Sequence, residues 1–319
     1  MDRGGNVYVS DATNATTGRV LELPKSRTGF KSQKQLLFGG LSGGIAGVAV
    51  DGPQNAYVAD STNQNVKELP HSGGSQTTLP FGGSPFVPVG LAVDWKGNVY
   101  AADDGAGRVL ELVKTNTGYQ PQTQLPFSGL STSLTGLAVD KFQNVYVVDN
   151  GNGNVQVLFH ETGNQMTLPF GSISNPVGIA VDTHLSVYVT AYNSGGNTSV
   201  IRIKRTAEAL YAAPEQLPIG GLSNAPGGTA VEATEVCTSR TPATTGRYGS
   251  RTARGLTPTS VGPGVRHASF IGHALALNRH RPGSARERAG NVDTRRDEVG
   301  QERSPAWAEP LGSRISTTW

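Results

Sequence analysis

One phrase returns along the first 232 residues of this chain, and few folds tolerate such a return. Gly47-Val-Ala-Val-Asp51 leads into Gln54-Asn-Ala-Tyr-Val-Ala-Asp60, and Gly90-Leu-Ala-Val-Asp94 into Gly97-Asn-Val-Tyr-Ala-Ala-Asp103. Gly136-Leu-Ala-Val-Asp140 precedes Gln143-Asn-Val-Tyr-Val-Val-Asp149, and Gly178-Ile-Ala-Val-Asp182 precedes Ser186-Val-Tyr-Val-Thr190. The chain opens inside a copy, Asp2 to Asp11, and a partial copy stands at Gly228-Thr-Ala-Val-Glu232. A period in the forties of residues marks a repeat architecture, in which each unit buries its faces only against its neighbours.

Each unit offers four short strands. Leu91-Ala-Val93 is a continuous apolar run, expected as an inner strand buried on both faces. A turn at Asp94-Trp-Lys-Gly97 leads to the second strand, Asn98 to Ala102. The third, Arg108-Val-Leu-Glu-Leu112, alternates apolar and polar and so predicts a half-exposed strand. The fourth, Thr123-Gln-Leu-Pro-Phe127, contains proline in most copies, which confines it to a sheet edge. Four-stranded antiparallel sheets repeated radially make a β-propeller.

The unit Pro88-Val-Gly-Leu-Ala-Val-Asp-Trp-Lys-Gly-Asn-Val-Tyr-Ala-Ala-Asp103, with Gly107-Arg-Val-Leu-Glu-Leu112, resembles an NHL repeat. The Leu-Pro-Phe strand and the Gly-Leu-Ala-Val-Asp wording are most similar to the extracytoplasmic sensor domain of mycobacterial transmembrane Ser/Thr protein kinases of the D type. That resemblance implies a sensor or adhesion module for a protein, peptide or cell-envelope ligand, placed outside the cytoplasm. It does not carry kinase activity, because the chain has no Gly-rich loop before a Val-Ala-Ile-Lys strand, no His-Arg-Asp loop and no Asp-Phe-Gly.

The anchor acids Asp2, Asp51, Asp94, Asp140, Asp182 and Glu232 lie 49, 43, 46, 42 and 50 residues apart. The alternation comes from the connection between third and fourth strands. It is long with an aromatic in units one, three and five (Phe30, Tyr119, Tyr211), and short with a leading histidine in units two and four (His71, His160). Pairs of units close at an even number. The fold expected is therefore all-β, an NHL-type propeller of about five blades of a six-bladed ring over residues 1–232. A five-bladed ring, with Gly228–Val231 beside Asn6–Ser10, is the alternative. An open ring leaves unpaired edges that favour self-association.

Charge divides the chain in the same place. Residues 1–232 carry 14 Lys+Arg against 17 Asp+Glu, and residues 233–319 carry 13 Arg, no Lys and 7 acids. The basic excess belongs to the C-terminal stretch, so the repeats give no reason to expect a nucleic-acid partner. That stretch is rich in Arg, Gly, Ser, Pro and Thr and reads as a disordered tail. Cys237 is the lone cysteine, which excludes an internal disulfide and a cysteine-based metal cluster. No run approaches the ~18 apolar residues of a membrane helix, and residues 1–15 do not read as a signal peptide.

Candidate chemistry has to be separated from scaffold. Asp51, Asp94, Asp140 and Asp182 recur at one place in every unit, where an aspartate accepts hydrogen bonds from turn N–H groups. Asp11, Asp60, Asp103 and Asp149, and the tyrosines at 8, 57, 100, 146 and 188, are read as scaffold in the same way. The histidines of the repeats, His71, His160 and His184, fall in separate loops, so neither a metal nor another cofactor is expected. Non-catalytic binding is the leading reading, and a metal-dependent lyase or hydrolase of propeller fold is the alternative. The candidate ligand-binding rim joins second to third and fourth to first strands. It carries Asn14, Asn63, Asp104, Asn150, Tyr192 and Asn193, with Phe86 beside them. Unit five breaks the phrase there, at Ala191-Tyr-Asn-Ser-Gly-Gly. Trp95, Lys96, Phe142 and His184 lie on the opposite face, where the aromatics are read as lids on the blade cores.

Overall fold

The computed structural model describes residues 1–238 apart from 3, 15, 193–197, 207–210, 220–227 and 233–234. The expected tail, and Asn193 of the candidate rim, lie outside the described residues. Among those described there is no helix, and none is long and apolar enough to cross a membrane.

Blade 1 comprises β1 (Val7–Ala12), β2 (Gly18–Leu23) and β5 (Lys34–Leu36), with a hairpin of β3 (Lys25–Ser26) and β4 (Gly29–Phe30) between the last two. Blade 2 is the four-stranded meander β6 (Ile45–Val50), β7 (Ala56–Asp60), β8 (Asn65–Leu69) and β9 (Thr77–Thr78). Blade 3 runs β10 (Pro88–Val93), β11 (Val99–Asp103), β12 (Arg108–Leu112) and β15 (Thr123–Gln124). Its own hairpin is β13 (Lys114–Thr115) and β14 (Gly118–Tyr119). Blade 4 is β16 (Leu134–Val139), β17 (Val145–Asp149), β18 (Asn154–Leu158) and β19 (Gln165–Thr167). Blade 5 is β20 (Pro176–Val181), β21 (Val187–Tyr192), β22 (Thr198–Ile203) and β23 (Glu215–Gln216). The last strands, β24 (Thr229–Glu232) and β25 (Glu235–Thr238), pair with each other, and β24 packs beside β20. The strand from Gly228 therefore does not close a five-membered ring against Asn6–Ser10.

Successive blades stack face on face, and the hydrophobic core lies between them. Tyr57, Val66 and Leu79 of blade 2 meet Leu91, Val99 and Leu110 of blade 3. Val109 and Tyr100 of blade 3 meet Leu137 and Val147 of blade 4. The inner strands can lie side by side because each has a glycine at the crossing. A Cβ on Gly90 would stand 2.9 Å from the backbone nitrogen of Leu137, and one on Gly47 2.8 Å from the carbonyl oxygen of Val89.

Two expectations about burial change. The second strand is the most enclosed, with every residue of β7, β11 and β17 buried, whereas the inner strands are partly open because they line the central space. The third strand is not half-exposed, since its polar residues face the blades on either side. Lys67 is buried and donates to the carbonyls of Gly39 and Gly40, both at 2.8 Å. Glu68 accepts from Tyr57 and, across the blade boundary, from Tyr119.

At the outer rim a glutamine clamps each of three junctions. Gln76, Gln122 and Gln165 each pair amide to peptide with the residue after the preceding Phe: Gly39, Gly82 and Ser128 respectively.

Candidate functional site

The turn after each inner strand is organised around its aspartate. Asp94 Oδ1 accepts the backbone N–H of Lys96 (2.8 Å) and Asn98 (2.9 Å), and Oδ2 accepts Asn98 Nδ2 (2.8 Å) and Tyr100 Oη (3.2 Å). The set recurs at Asp2, Asp140 and Asp182, with Ser186 replacing the asparagine in the last. At Asp51, Asn55 and Tyr57 supply the donors. Asn98 Oδ1 in turn accepts the N–H of Lys114 at 2.9 Å, which ties the turn to the end of the third strand. Asn6, Asn55 and Asn144 do the same for Lys25, His71 and His160. Burial, with the neighbouring carboxylates adding to it, holds the phenols of Tyr8, Tyr57, Tyr100 and Tyr146 well above the ordinary tyrosine range.

One position of this turn requires positive φ. Glycine fills it in units one and three (Gly5, +77°; Gly97, +87°), but glutamine does in units two and four (Gln54, +73°; Gln143, +65°). The glutamine reaches back to the preceding blade: Gln54 Nε2 donates to Asp2 Oδ2 at 3.0 Å, and Gln143 Nε2 to Asp94 Oδ2 at 2.6 Å. Gln143 Oε1 then accepts from Lys96 Nζ at 2.7 Å. Blades 1 and 2, and blades 3 and 4, are thereby latched as pairs.

These turns surround a depression of about 440 Å³ at the mouth of the central space, with Asp2, Asp51, Asp94 and Asp140 in its wall and Trp95 and Lys141 at its lip. Trp95 is 60% exposed and Phe142 57% exposed, so they are not the lids expected of them. Each carries a lysine ammonium over its ring, Lys96 on Trp95 and Lys141 on Phe142, both 5.2 Å from the centroid. The signal in the sequence is the lysine beside each aromatic in a turn whose apolar core is already filled by Tyr100 and Tyr146.

The opposite rim is arranged differently. Asp104 Oδ1 accepts the N–H of Leu134 at 2.7 Å, and Asn150 Nδ2 donates to Pro176 O at 2.9 Å, both across blade boundaries. Asn63 Nδ2 bonds Asp60 and Gly40 O. Asn14 caps its own turn through Thr16. Tyr192 ends β21, its carbonyl accepting from Asn175 Nδ2 at 3.1 Å. The rim residues thus fall one per blade, and Asn63, Asp104 and Asn150 join adjacent units. Phe86 is not on the rim: it is 1% exposed and stacks on Phe81 at 5.7 Å.

His71, His160 and His184 stand in three different blades, and among the described residues no group of three or more His, Cys, Asp or Glu is placed to hold a metal. Proton transfer by a central aspartate would strand several buried donors at once. The face can instead offer aromatic surface around an acidic floor, beside two lysines that bond Gln143 and the Thr183 carbonyl.

No protein-family model matches the chain, and neither does any curated protein. Solved structures do. A nidogen/laminin complex gives a TM-score of 0.60 at 18% identity, over 74% of this chain and 86% of that one. A gluconolactonase from Xanthomonas campestris gives 0.50 at 14%, over 75% and 80%. A catalytically inactive virginiamycin B lyase from Staphylococcus aureus, with quinupristin, gives 0.50 at 13%, over 74% and 82%. The chain is a β-propeller, and propellers of this likeness include both a partner in a protein complex and enzymes.

Proposed function

We propose that this propeller is a non-catalytic recognition module that takes a protein or peptide on the face of the aspartate turns. The exposed Trp95 at the lip of the central depression, and the exposed Phe142 that follows Lys141 of that lip on the adjoining blade, carry this reading. Large aromatics raised from a rigid framework supply binding area at low entropic cost. The central carboxylates are held by turn N–H groups, asparagines and tyrosines, which favours a framework role over acid–base or metal chemistry. The resemblance to the sensor domain of D-type mycobacterial kinases supports a place outside the cytoplasm and a sensor or adhesion role. In this reading residues 1–232 are the module and residues 233–319 an appended tail. The opposite rim at Tyr192 and Asn193, where unit five departs from the phrase, is the second place for a ligand.

The test is a peptide array probed with the full chain. Trp95→Ala combined with Phe142→Ala should weaken the selected peptides at least tenfold while leaving the urea midpoint in place. Loss on Tyr192→Ala instead would move the site to the rim. Stoichiometric zinc or calcium in the purified protein, with lactone hydrolysis or lyase turnover, would establish the enzyme reading.

A further inference from the structure

The junction between blades 2 and 3 shows what the flank of blade 1 is built to meet. The hairpin of blade 3, Lys114-Thr-Asn-Thr-Gly-Tyr119, lies against blade 2. Tyr119 Oη donates to Glu68 Oε2 at 3.2 Å, and Lys114 Nζ sits 3.6 Å from Glu68 Oε1 and 4.1 Å from the Tyr119 ring centroid. Farther out, Gln122 clamps Gly82. Blade 1 carries the same devices in the same order: Lys25-Ser-Arg-Thr-Gly-Phe30, followed by Gln33. Lys25 Nζ lies 4.6 Å over the Phe30 ring, as Lys114 lies over Tyr119. Among the described residues, however, Lys25 has no acid, Phe30 is 41% exposed, and the Gln33 side chain has no hydrogen-bond partner.

We infer that this flank is a docking surface for one further propeller blade of the blade-2 kind, supplied from outside residues 1–319. The occupant's third strand would bring an acid to Lys25, as Glu68 does for Lys114. The peptide group after its Leu-Pro-Phe would be clamped by Gln33. The chain's own sequence after Glu232 contains no further Gly-x-Ala-Val-Asp or Asn-Val-Tyr phrase. A second copy has β24 beside β20 at its other flank, and the third strand of blade 5 there has Arg202 where blade 2 has Glu68, each facing the repeat tyrosine of its own second strand. Arg202 is itself paired with Glu215 at 2.7 Å and supplies Lys25 no acid in the place of Glu68.

The probe is a labelled peptide of residues 45–82 added to the full chain and followed by fluorescence anisotropy. A second protein carries residues 45–93 fused ahead of Asp2, so that a peptide unable to fold alone does not decide the matter. Saturable binding, and a higher urea midpoint in the fusion, are expected. Both should fall by more than half in Phe30→Ala/Gln33→Ala, and binding should fall at least fivefold with Glu68→Val in the peptide. Equal binding by a blade-3 peptide (residues 88–128), or a fusion midpoint indifferent to Phe30 and Gln33, would overturn the inference. So would light scattering that shows the chain alone dimerising through Phe30, because the occupant would then be a second copy.

Discussion

A buried aspartate with five donors around it is the residue on which each pair of blades depends. Asp94 takes two backbone N–H groups, an amide, a phenol and the latch from Gln143. Hydrogen bonds to a charged acceptor contribute about 1.5–3 kcal/mol each in favourable cases, and donors left unsatisfied in the interior cost more than the mean bond returns. Asp94→Ala should therefore lower unfolding free energy by about 3 kcal/mol or more in urea titration. Asp182→Ala should cost less, because among the described residues three donors surround Asp182. The tyrosines above these aspartates set an alkaline limit. Their folded-state pKa lies above the unfolded value of about 10, so the neutral phenol is favoured by folding. That stability is complete below about pH 10 and is lost as pH rises toward the folded value, by about 1.4 kcal/mol per pH unit for each buried tyrosine. Absorbance at 295 nm should show Tyr8, Tyr57, Tyr100 and Tyr146 ionising together with unfolding. Ionisation at pH 10 in the intact fold would contradict their burial.

At the scale of elements, strand order and blade number followed from the phrase because period-two patterning and the proline of the outer strand are local properties. The role of the third strand was not legible. Lys67 and Glu68 are adjacent charged residues between Val66 and Leu69, and only the stacking of blades on both faces turns them inward. The latch was half legible: Gln54 and Gln143 stand where Gly5 and Gly97 stand, but their target is a residue 52 or 49 positions earlier. The glycine of the inner strand shows how closely the elements approach. Gly90→Ala would place a Cβ 2.9 Å from Leu137 N and 3.0 Å from Leu137 Cβ, and backbone cannot yield as a flexible side chain does. Overpacking of this kind costs about 1–3 kcal/mol, and the unfolding free energy from urea titration should fall by that amount. Gly73→Ala should also cost something at its φ of +89°, through strain alone, because among the described residues none beyond its chain neighbours lies within 4 Å of its Cβ position.

The whole molecule presents two faces, and they differ in what they leave free. On the rim face, Asn63, Asp104 and Asn150 join one blade to the next. On the turn face Trp95 and Phe142 project beyond the aspartates, while Lys96 is held by Gln143 and Lys141 by the Thr183 carbonyl. The rim residues were legible as a set, one per blade. Their engagement across blade boundaries was not, because it joins residues 23–30 positions apart. The most direct measurement of the recognition role is the hydrogen-exchange footprint of the tightest array-selected peptide on the full chain. Slowed exchange confined to residues 94–98 and 140–144, and lost in the Trp95→Ala/Phe142→Ala protein, is the predicted result. A footprint at residues 189–192 and 198–200, or one unchanged by those substitutions, would contradict it.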